Sequence, residues 1–155
     1  MESGTALAGI LTGRINPSGK LAETFPRVYE DTPTGHNGQF GRDDMVCYEE
    51  EIMVGYRHYE KNDILPMFCF GHGLSYTEFA YHDLQVKQDN DAKDRVSISF
   101  DIENVGKIDG REIVQIYVRD EECTVIRPEK ELKAFKSITL KAGSICSCLL
   151  YTSPS

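Results

Sequence analysis

Strict alternation of apolar and polar residues dominates the second half of the chain. Residues 95–104 (RVSISFDIEN) place valine, isoleucine or phenylalanine at every second position, and residues 111–120 (REIVQIYVRD) repeat the pattern. Residues 79–86 (FAYHDLQV) and 131–143 (ELKAFKSITLKAG) carry weaker versions, and the segment 104–110 (NVGKIDG) has the composition of a turn. Because strand side chains alternate between two faces, these segments predict half-buried antiparallel strands in an all-β sandwich.

The first half of the chain has a mixed character that predicts α/β structure. Residues 2–13 repeat apolar residues at helical spacing up to a glycine, which predicts the end of a helix, and residues 16–20 (NPSGK) predict a turn. Residues 20–25 (KLAETF) predict a short strand that is ended by a proline. Residues 26–44 predict a long loop because they are rich in Pro, Gly, Asp and Asn, and residues 51–68 predict a short connector.

Composition and charge exclude several classes of function. The formal net charge of -8 disfavours a nucleic-acid partner, which needs a basic surface. No segment approaches the roughly 20 apolar residues of a membrane-spanning helix, so no membrane partner is expected. The five cysteines are odd in number, and Cys146 and Cys148 have no second pair of candidate ligands. We therefore expect no disulfide framework, no metal and no cofactor.

The segment FGHGLSYT, residues 70–77, offers the first candidate chemistry. A serine nucleophile on a strand-to-helix turn needs the pattern G-x-S-x-G, and the sequence around Ser75 and His72 does not follow it. No carboxylate stands at a spacing that would orient His72. We interpret the segment as a tight bend in which Gly71 and Gly73 let the backbone turn.

An acidic cluster precedes the connector and consists of Asp43, Asp44, Glu49, Glu50 and Glu51. A glycosidase needs two carboxylates on either side of the sugar, and neighbours in sequence do not supply that arrangement. We interpret the cluster as part of a solvated loop that contacts substrate rather than performing catalysis. The four histidines show no metal-binding spacing; they are His36, His58, His72 and His82.

Eight aromatic residues lie on either side of the change in composition near residue 75. They are Tyr48, Tyr56, Tyr59, Phe68, Phe70, Tyr76, Phe79 and Tyr81. Aromatic rings can stack on sugars, but a group of this kind at a domain junction more often builds the interface between two packed units. The sequence therefore favours an interface over a sugar platform.

Five segments, spread across residues 2–143, occur in a recognisable order. They are GILTGRINPSGKLAETFP, YEEEIMVGYRHYEK, FCFGHGLSYTEFAYHDLQV, ISFDIENVGKIDGREIVQIYVRD and RPEKELKAFKSITLKAG. In order and spacing they resemble the C-terminal part of family 3 glycoside hydrolases of the β-glucosidase type. Two departures are Ala22 and Cys69, where the family often has proline, and these cost rigidity rather than chemistry.

The resemblance implies a domain layout and a fold class. Residues 1–75 resemble the C-terminal end of the family's α/β sandwich domain with a connector, and residues 76–147 resemble its fibronectin type III-like domain. The expected fold is therefore an α/β segment followed by an all-β, immunoglobulin-like sandwich that is truncated at both ends. A complete sandwich has about seven strands in about 100 residues. We therefore expect unpaired strand edges and a marginal, aggregation-prone chain.

The resemblance also implies a function. The family's enzymes are retaining exo-glycosidases, and their Asp nucleophile and Glu acid/base lie upstream of the stretch that resembles residues 2–26. No catalytic, cofactor-binding or metal-binding residue is therefore assigned here, and we expect the chain to be structural and inactive alone. The implied substrate of the parent enzyme is a β-linked glucoside or oligosaccharide. Two alternatives stay open: a β-xylosidase of the same family, and a non-catalytic fibronectin-like module that binds carbohydrate or protein.

The last eight residues break the resemblance. CLLYTSPS, residues 148–155, does not continue the alternating strand that the family would place after LKAG. These residues resemble a translated sequencing adaptor, and we therefore predict a non-native tail. Oligomeric state and localisation are left open by the sequence.

Overall fold

The chain divides into two compact units in a computed structural model that describes residues 3–38, 48–88 and 95–152. The sandwich unit comprises Met1–Gly19, Gly73–Ile116 and Lys133–Pro154. The loop unit comprises Lys20–His72 and Tyr117–Leu132. The step from His72 to Gly73 lies inside the segment FGHGLSYT, close to the change in composition that the sequence displays near residue 75.

The described residues contain three α-helices, one short 3₁₀ helix and five strands. The helices are α1 (Ser3–Leu11), the 3₁₀ helix (Tyr29–Asp31), α2 (Pro33–Asn37) and α3 (Tyr56–Lys61). The strands are β1 (Phe79–Gln88), β2 (Val96–Asn104), β3 (Gly110–Val118), β4 (Glu131–Leu140) and β5 (Ile145–Thr152). Within this described part, no helix has the length and apolar character needed to cross a membrane.

The strands form two sheets. One sheet has the order β1-β2-β5, with β2 antiparallel to both of its neighbours, and the other pairs β3 with β4. The register of β1 against β2 shifts between His82 and Gln85, where Asp83 takes a positive φ of 53°. Strands β1 to β4 fall on the four alternating segments, so a helical segment followed by a β-sandwich is confirmed.

The hydrophobic core draws on both sheets. Strand β2 supplies its alternate residues Ile98, Phe100 and Ile102, and polar residues between them stay half-buried. The other core residues are Val114, Ile138, Leu140 and Cys148. The period-two pattern therefore identified the buried face of β2 correctly, because one face of this strand is covered and the other is not.

The short strand predicted over residues 20–25 is wrong. Phe25 forms only an isolated bridge to Phe68, with its N–H 2.9 Å from the Phe68 carbonyl oxygen. Pairing cannot extend beyond Phe25 because Pro26 has no N–H to donate. Leu21 makes a separate pair of bonds, donating to the His72 carbonyl at 2.8 Å and accepting from the Gly71 N–H at 2.8 Å.

The long loop and the connector both contain helix. Two short helices, the 3₁₀ helix and α2, occupy most of residues 29–37, and the remaining loop residues 39–44 lie outside the described part of the chain. The connector over residues 51–68 contains α3. These helices are six residues or shorter, so helical periodicity in the sequence has too little length to reveal them.

The expectation that the sandwich pattern stops at Cys148 is wrong. Strand β5 continues to Thr152 and pairs with β2 residue by residue, with Cys148 opposite Phe100 and Leu150 opposite Ile98. The non-native origin of residues 148–155 stays a prediction, because strand pairing uses backbone groups that any sequence carries.

Candidate functional site

The NPSGK turn is held to the rest of the sandwich unit by the side chain of Asn16. The Asn16 amide oxygen accepts from the Ser75 hydroxyl at 3.0 Å and from the Tyr76 N–H at 2.8 Å. The Asn16 amide nitrogen donates to the Asp109 carbonyl at 3.0 Å. A second tie connects Tyr76 to helix α1, since its hydroxyl donates to the Ile10 carbonyl at 2.8 Å. One side chain thus joins three turns of the sandwich unit.

Ser75 and His72 have contacts that suit architecture. The Ser75 hydroxyl donates to an amide oxygen, which cannot serve as a general base, and it accepts from the Thr77 N–H at 3.3 Å. The His72 ring lies 5.2 Å from the Phe68 ring, centroid to centroid. A positive φ of 78° occurs at Gly71 and not at Gly73, so Gly71 is the residue of this bend that needs glycine.

Asn16→Ala is expected to destabilise the chain more than Ser75→Ala. The first substitution removes three hydrogen bonds at partly exposed groups, which is worth about 2 kcal/mol of unfolding free energy, and the second removes one bond of about 0.5–1 kcal/mol. Urea unfolding of both variants beside the wild type measures the difference. An equal loss in the two variants would mean that the Ser75 hydroxyl, and not the rest of the Asn16 amide contacts, holds the NPSGK turn in place.

Asn104, at the end of β2, is a fully buried polar residue of the sandwich unit. Its amide oxygen accepts from the Thr77 hydroxyl at 2.6 Å and from the Gly106 N–H at 3.1 Å. Its amide nitrogen donates to the carbonyls of Ile108 at 2.8 Å and Leu140 at 3.2 Å. The side chain therefore satisfies four buried or half-buried groups from β4 and from two turns.

Local hydrogen bonds at helix ends and turns stabilise residues 26–38, the described part of the predicted loop. The Asp31 carboxylate accepts from the N–H groups of Arg27 and Val28, both at 3.3 Å. The Thr32 hydroxyl accepts from the Gly35 N–H at 3.1 Å, which is the N-cap bond of helix α2. A Cβ at Gly35 would collide with the Tyr29 carbonyl oxygen, so this turn needs glycine.

His58, on helix α3, contacts this loop through a hydrogen bond and a ring contact. His58 is 4% exposed, and its Nε2 lies 3.2 Å from the Asp31 carbonyl oxygen. The His36 ring of helix α2 packs against it at 5.3 Å in an edge-to-face arrangement. Burial lowers the pKa of His58, the bond to the Asp31 backbone opposes this, and the nearby His36 lowers it again.

Helix α3 also binds the segment 117–132 of the loop unit. Arg57 pairs with Glu131 at 2.9 Å, and Glu60 pairs with Lys130 at 2.6 Å. The Tyr56 hydroxyl accepts from the Leu132 N–H at 2.9 Å. These are contacts of a scaffold, because they join the helix to another part of the same unit.

The aromatic residues form separate pairs and not one platform. Tyr56 contacts Phe70 at 5.0 Å and Tyr117 at 5.9 Å within the loop unit, while Tyr81 contacts Phe100 at 6.1 Å within the sandwich unit. The prediction that these rings build an interface between units stays a prediction.

The acidic cluster lies partly outside the described residues, and the described residues show no metal site. Glu49 and Glu51 are exposed and Glu50 is half-buried, while Asp43 and Asp44 lie outside the described residues. Across residues 3–38, 48–88 and 95–152, no group of three or more His, Cys, Asp or Glu side chains is arranged to hold a metal ion.

Sequence reasoning missed the residues with the most polar contacts. The sequence places Asn16 and Asn104 in predicted turns, and it singles out His58 only as a candidate metal ligand. One signal was available for Asn104, since it continues the buried face that runs from Ile98 to Ile102 along β2. An asparagine on a core face must find hydrogen-bond partners.

Comparison with known proteins finds two family models that match this chain. Residues 1–76 match the Glycosyl hydrolase family 3 C-terminal domain, and residues 112–147 match the Fibronectin type III-like domain. The two matches define the chain as a C-terminal region of a glycosyl hydrolase. The chain belongs to glycosyl hydrolase family 3.

Individual relatives support this assignment. The chain is 50% identical over 141 residues, 90% of its length, to Thermostable beta-glucosidase B of Acetivibrio thermocellus. It is 46% identical over 151 residues, 94% of its length, to Probable beta-glucosidase K of Emericella nidulans. It spans 18% and 17% of the lengths of these two proteins.

A solved structure matches the fold closely. Beta-glucosidase 3B from Thermotoga neapolitana, in complex with glucose, superposes with a TM-score of 0.89 at 41% sequence identity. The match covers 98% of this chain and 21% of that protein.

Proposed function

We propose that this chain is the structural C-terminal part of a retaining, exo-acting β-glucosidase-like hydrolase that cleaves O-glycosyl bonds in β-linked glucosides or oligosaccharides. The observation that carries the proposal is the 50% identity to a β-glucosidase over 90% of the chain. In the parent enzyme, the catalytic Asp and Glu come from regions outside this chain. No residue of the chain is given a catalytic role.

The contacts of the described residues support a bracing role. Asn16 and Asn104 each join several turns through one side chain, and helix α3 is tied to segment 117–132 by two ion pairs. Each of these groups is bound by another part of its own unit, which supports a bracing role. The proposal includes the division into an α/β end over residues 1–75 and a fibronectin-like domain over residues 76–147.

Exposed apolar side chains support a position within a larger protein. On β1, Leu84 is 67% exposed and Val86 is 63% exposed, and on β4 Phe135 is 70% exposed. Soluble proteins rarely leave large contiguous apolar patches in water unless another surface covers them.

Because substrate-binding residues are often carried by loops, we infer that the loop between Pro26 and Tyr48 lies toward the mouth of the parent's active site.

The chain by itself is expected to hydrolyse an aryl β-glucoside no faster than buffer, because it lacks the nucleophile and the acid/base. A longer protein from the same reading frame, carrying the upstream domains, is expected to hydrolyse it. The measurement is release of the aryl alcohol by both proteins at equal concentration, with an aryl β-xyloside in parallel. Turnover by the purified chain alone would show that the catalytic residues do not all lie outside it. A longer protein that is inactive on both substrates would favour the binding-module alternative.

A further inference from the structure

The ring of His58 is held on two sides by groups that fix its protonation state. On one side, Nε2 lies 3.2 Å from the Asp31 carbonyl oxygen, which can only accept, so Nε2 carries the proton. On the other side, Nδ1 lies 3.2 Å from the Asn62 amide nitrogen, which can only donate. The neutral ring with its proton on Nε2 satisfies both neighbours.

Protonation of His58 breaks this arrangement. A proton on Nδ1 would face the N–H of Asn62 and remove that hydrogen bond. The Asn62 amide cannot simply turn over, since its nitrogen also donates to the His58 carbonyl at 3.0 Å. The new charge would sit on a residue that is 4% exposed, where water cannot solvate it.

The groups packed around the ring offer little compensation. From α2, the His36 ring lies 5.3 Å away and carries positive charge itself when protonated. From α3, the Tyr59 ring lies 5.4 Å away, and burial raises its pKa, so its hydroxyl stays neutral. From the 3₁₀ helix, the Asp31 carboxylate is already bonded to the N–H groups of Arg27 and Val28.

The Asp31 carbonyl joins His58 to the whole capped segment. Asp31 closes the turn at Arg27 and Val28, and the next residue, Thr32, caps helix α2. The segment from Arg27 to Gly38 thus rests on the ring through one backbone acceptor and one aromatic contact.

We propose that His58 is a pH-sensitive lock, which holds the segment from Arg27 to Gly38 in place only while its ring is neutral, so that acid releases the segment. Burial lowers the pKa of His58 from its ordinary value of 6.5 in the folded chain. The open state, in which the segment has left the ring, therefore binds a proton on His58 more readily than the closed state, in which the segment rests on it. Closure is complete above pH 6.5 and weakens as pH falls below it, until the pKa of the closed state is reached.

The size of the effect follows from the shift in pKa. Each unit by which closure lowers the pKa of His58 increases opening up to about tenfold at low pH. The change is local, because the contacts of the ring lie within the loop unit, and strands of the sandwich unit carry no part of the lock. Amide hydrogen exchange, corrected for its intrinsic pH dependence, reports such local opening residue by residue.

The test compares the 155-residue chain at about pH 7.5 and about pH 5, the range in which histidine titrates. Amides of residues 29–38 are expected to lose protection at the lower pH, by up to about tenfold for each unit of the pKa shift, while amides of β2 keep theirs. His58→Gln keeps a donor for the Asp31 carbonyl and cannot titrate, so its protection should not change with pH. His82→Gln, which removes a half-exposed histidine of β1, should behave as the wild type.

A second measurement does not depend on any variant. The ring signals of His58 in NMR spectra of the wild type should titrate below pH 6.5, with loss of protection following the same midpoint. A His58 ring that titrates at the ordinary value, or a segment that stays protected at the lower pH, would overturn the proposal. An unchanged pH response in His58→Gln would do the same.

Discussion

Asn104→Ala is expected to lower the free energy of unfolding by roughly 3–5 kcal/mol, since four hydrogen bonds to buried or half-buried groups lose their partner at once. Alanine leaves the Thr77 hydroxyl, the Gly106 N–H and the carbonyls of Ile108 and Leu140 without this amide. The expected loss is large because Asn104 is fully buried and Thr77 is buried, and polar groups left unpaired in such places are costly. Urea unfolding of the 155-residue chain measures the loss.

Thr77→Val is a companion variant that distinguishes the contribution of the Asn104 amide from that of one of its partners. Thr77→Val removes one donor and leaves the Asn104 oxygen bonded to the Gly106 N–H, so we expect a loss of only about 1 kcal/mol. A loss in Thr77→Val as large as in Asn104→Ala would contradict the central role of Asn104.

Asn104→Asp adds a pH dependence whose sign is fixed by the two carbonyls. Aspartate keeps the acceptor for Thr77 but turns an oxygen toward the carbonyls of Ile108 and Leu140. Burial and these oxygens raise the pKa of the new carboxyl in the folded state above its ordinary value of about 3.9. The variant should therefore lose more stability relative to the wild type at neutral pH than below about pH 4. A difference that does not vary with pH would contradict the hydrogen-bond assignment.

The sandwich was predictable because its physics is local. Strand β2 is covered on one face, so apolar residues recur at every second position from Val96 to Ile102 and the pattern is readable without any long-range information. Helix α1 was readable from helical spacing alone, although Leu7 and Leu11 are 58% and 75% exposed. Asn104 continues the same alternation, yet its partners come from residues up to 36 positions away, and no local pattern reveals them.

The loop was harder to predict because tertiary contacts order it. The 3₁₀ helix and α2 have three and five residues, too few to form alone in water. Their order depends on the Thr32 cap and on His58, which is 27 positions away from Asp31. The predicted strand at residues 20–25 failed because the backbone pairs at two separate points, Phe25 with Phe68 and Leu21 with Gly71 and His72, and forms no continuous ladder.

Strand β5 was missed for a different reason. Its sequence, ICSCLLYT, has apolar residues on both faces, so alternation is weak, and residues 148–152 fall within the predicted non-native tail. Inside the sandwich unit, however, only Cys146, Cys148 and Leu150 need to face the core. Their neighbours Ile145, Leu149 and Tyr151 are about half exposed or more, which is what a strand with one covered face tolerates.

Removing residues 148–155 is therefore expected to destabilise the chain by at least about 3–5 kcal/mol, a large part of the 5–15 kcal/mol that keeps an ordinary domain folded. The truncation takes away the pairing partners of β2 from Val96 to Phe100 and uncovers Ile98 and Phe100 in the core. It also turns half of β2 into an unpaired edge, which promotes aggregation.

The matched control is Leu149→Ser, because Leu149 belongs to the same strand but is 48% exposed. We expect this substitution to change the unfolding free energy by no more than about 0.5 kcal/mol. Urea midpoints and light scattering of the truncated chain, the control and the wild type measure both effects. A truncated chain with the wild-type midpoint and no added scattering would mean that residues 148–152 contribute nothing to the fold. The predicted loss, in contrast, would show that this segment closes the core whatever its origin, because pairing needs only backbone groups and two apolar side chains on the inner face.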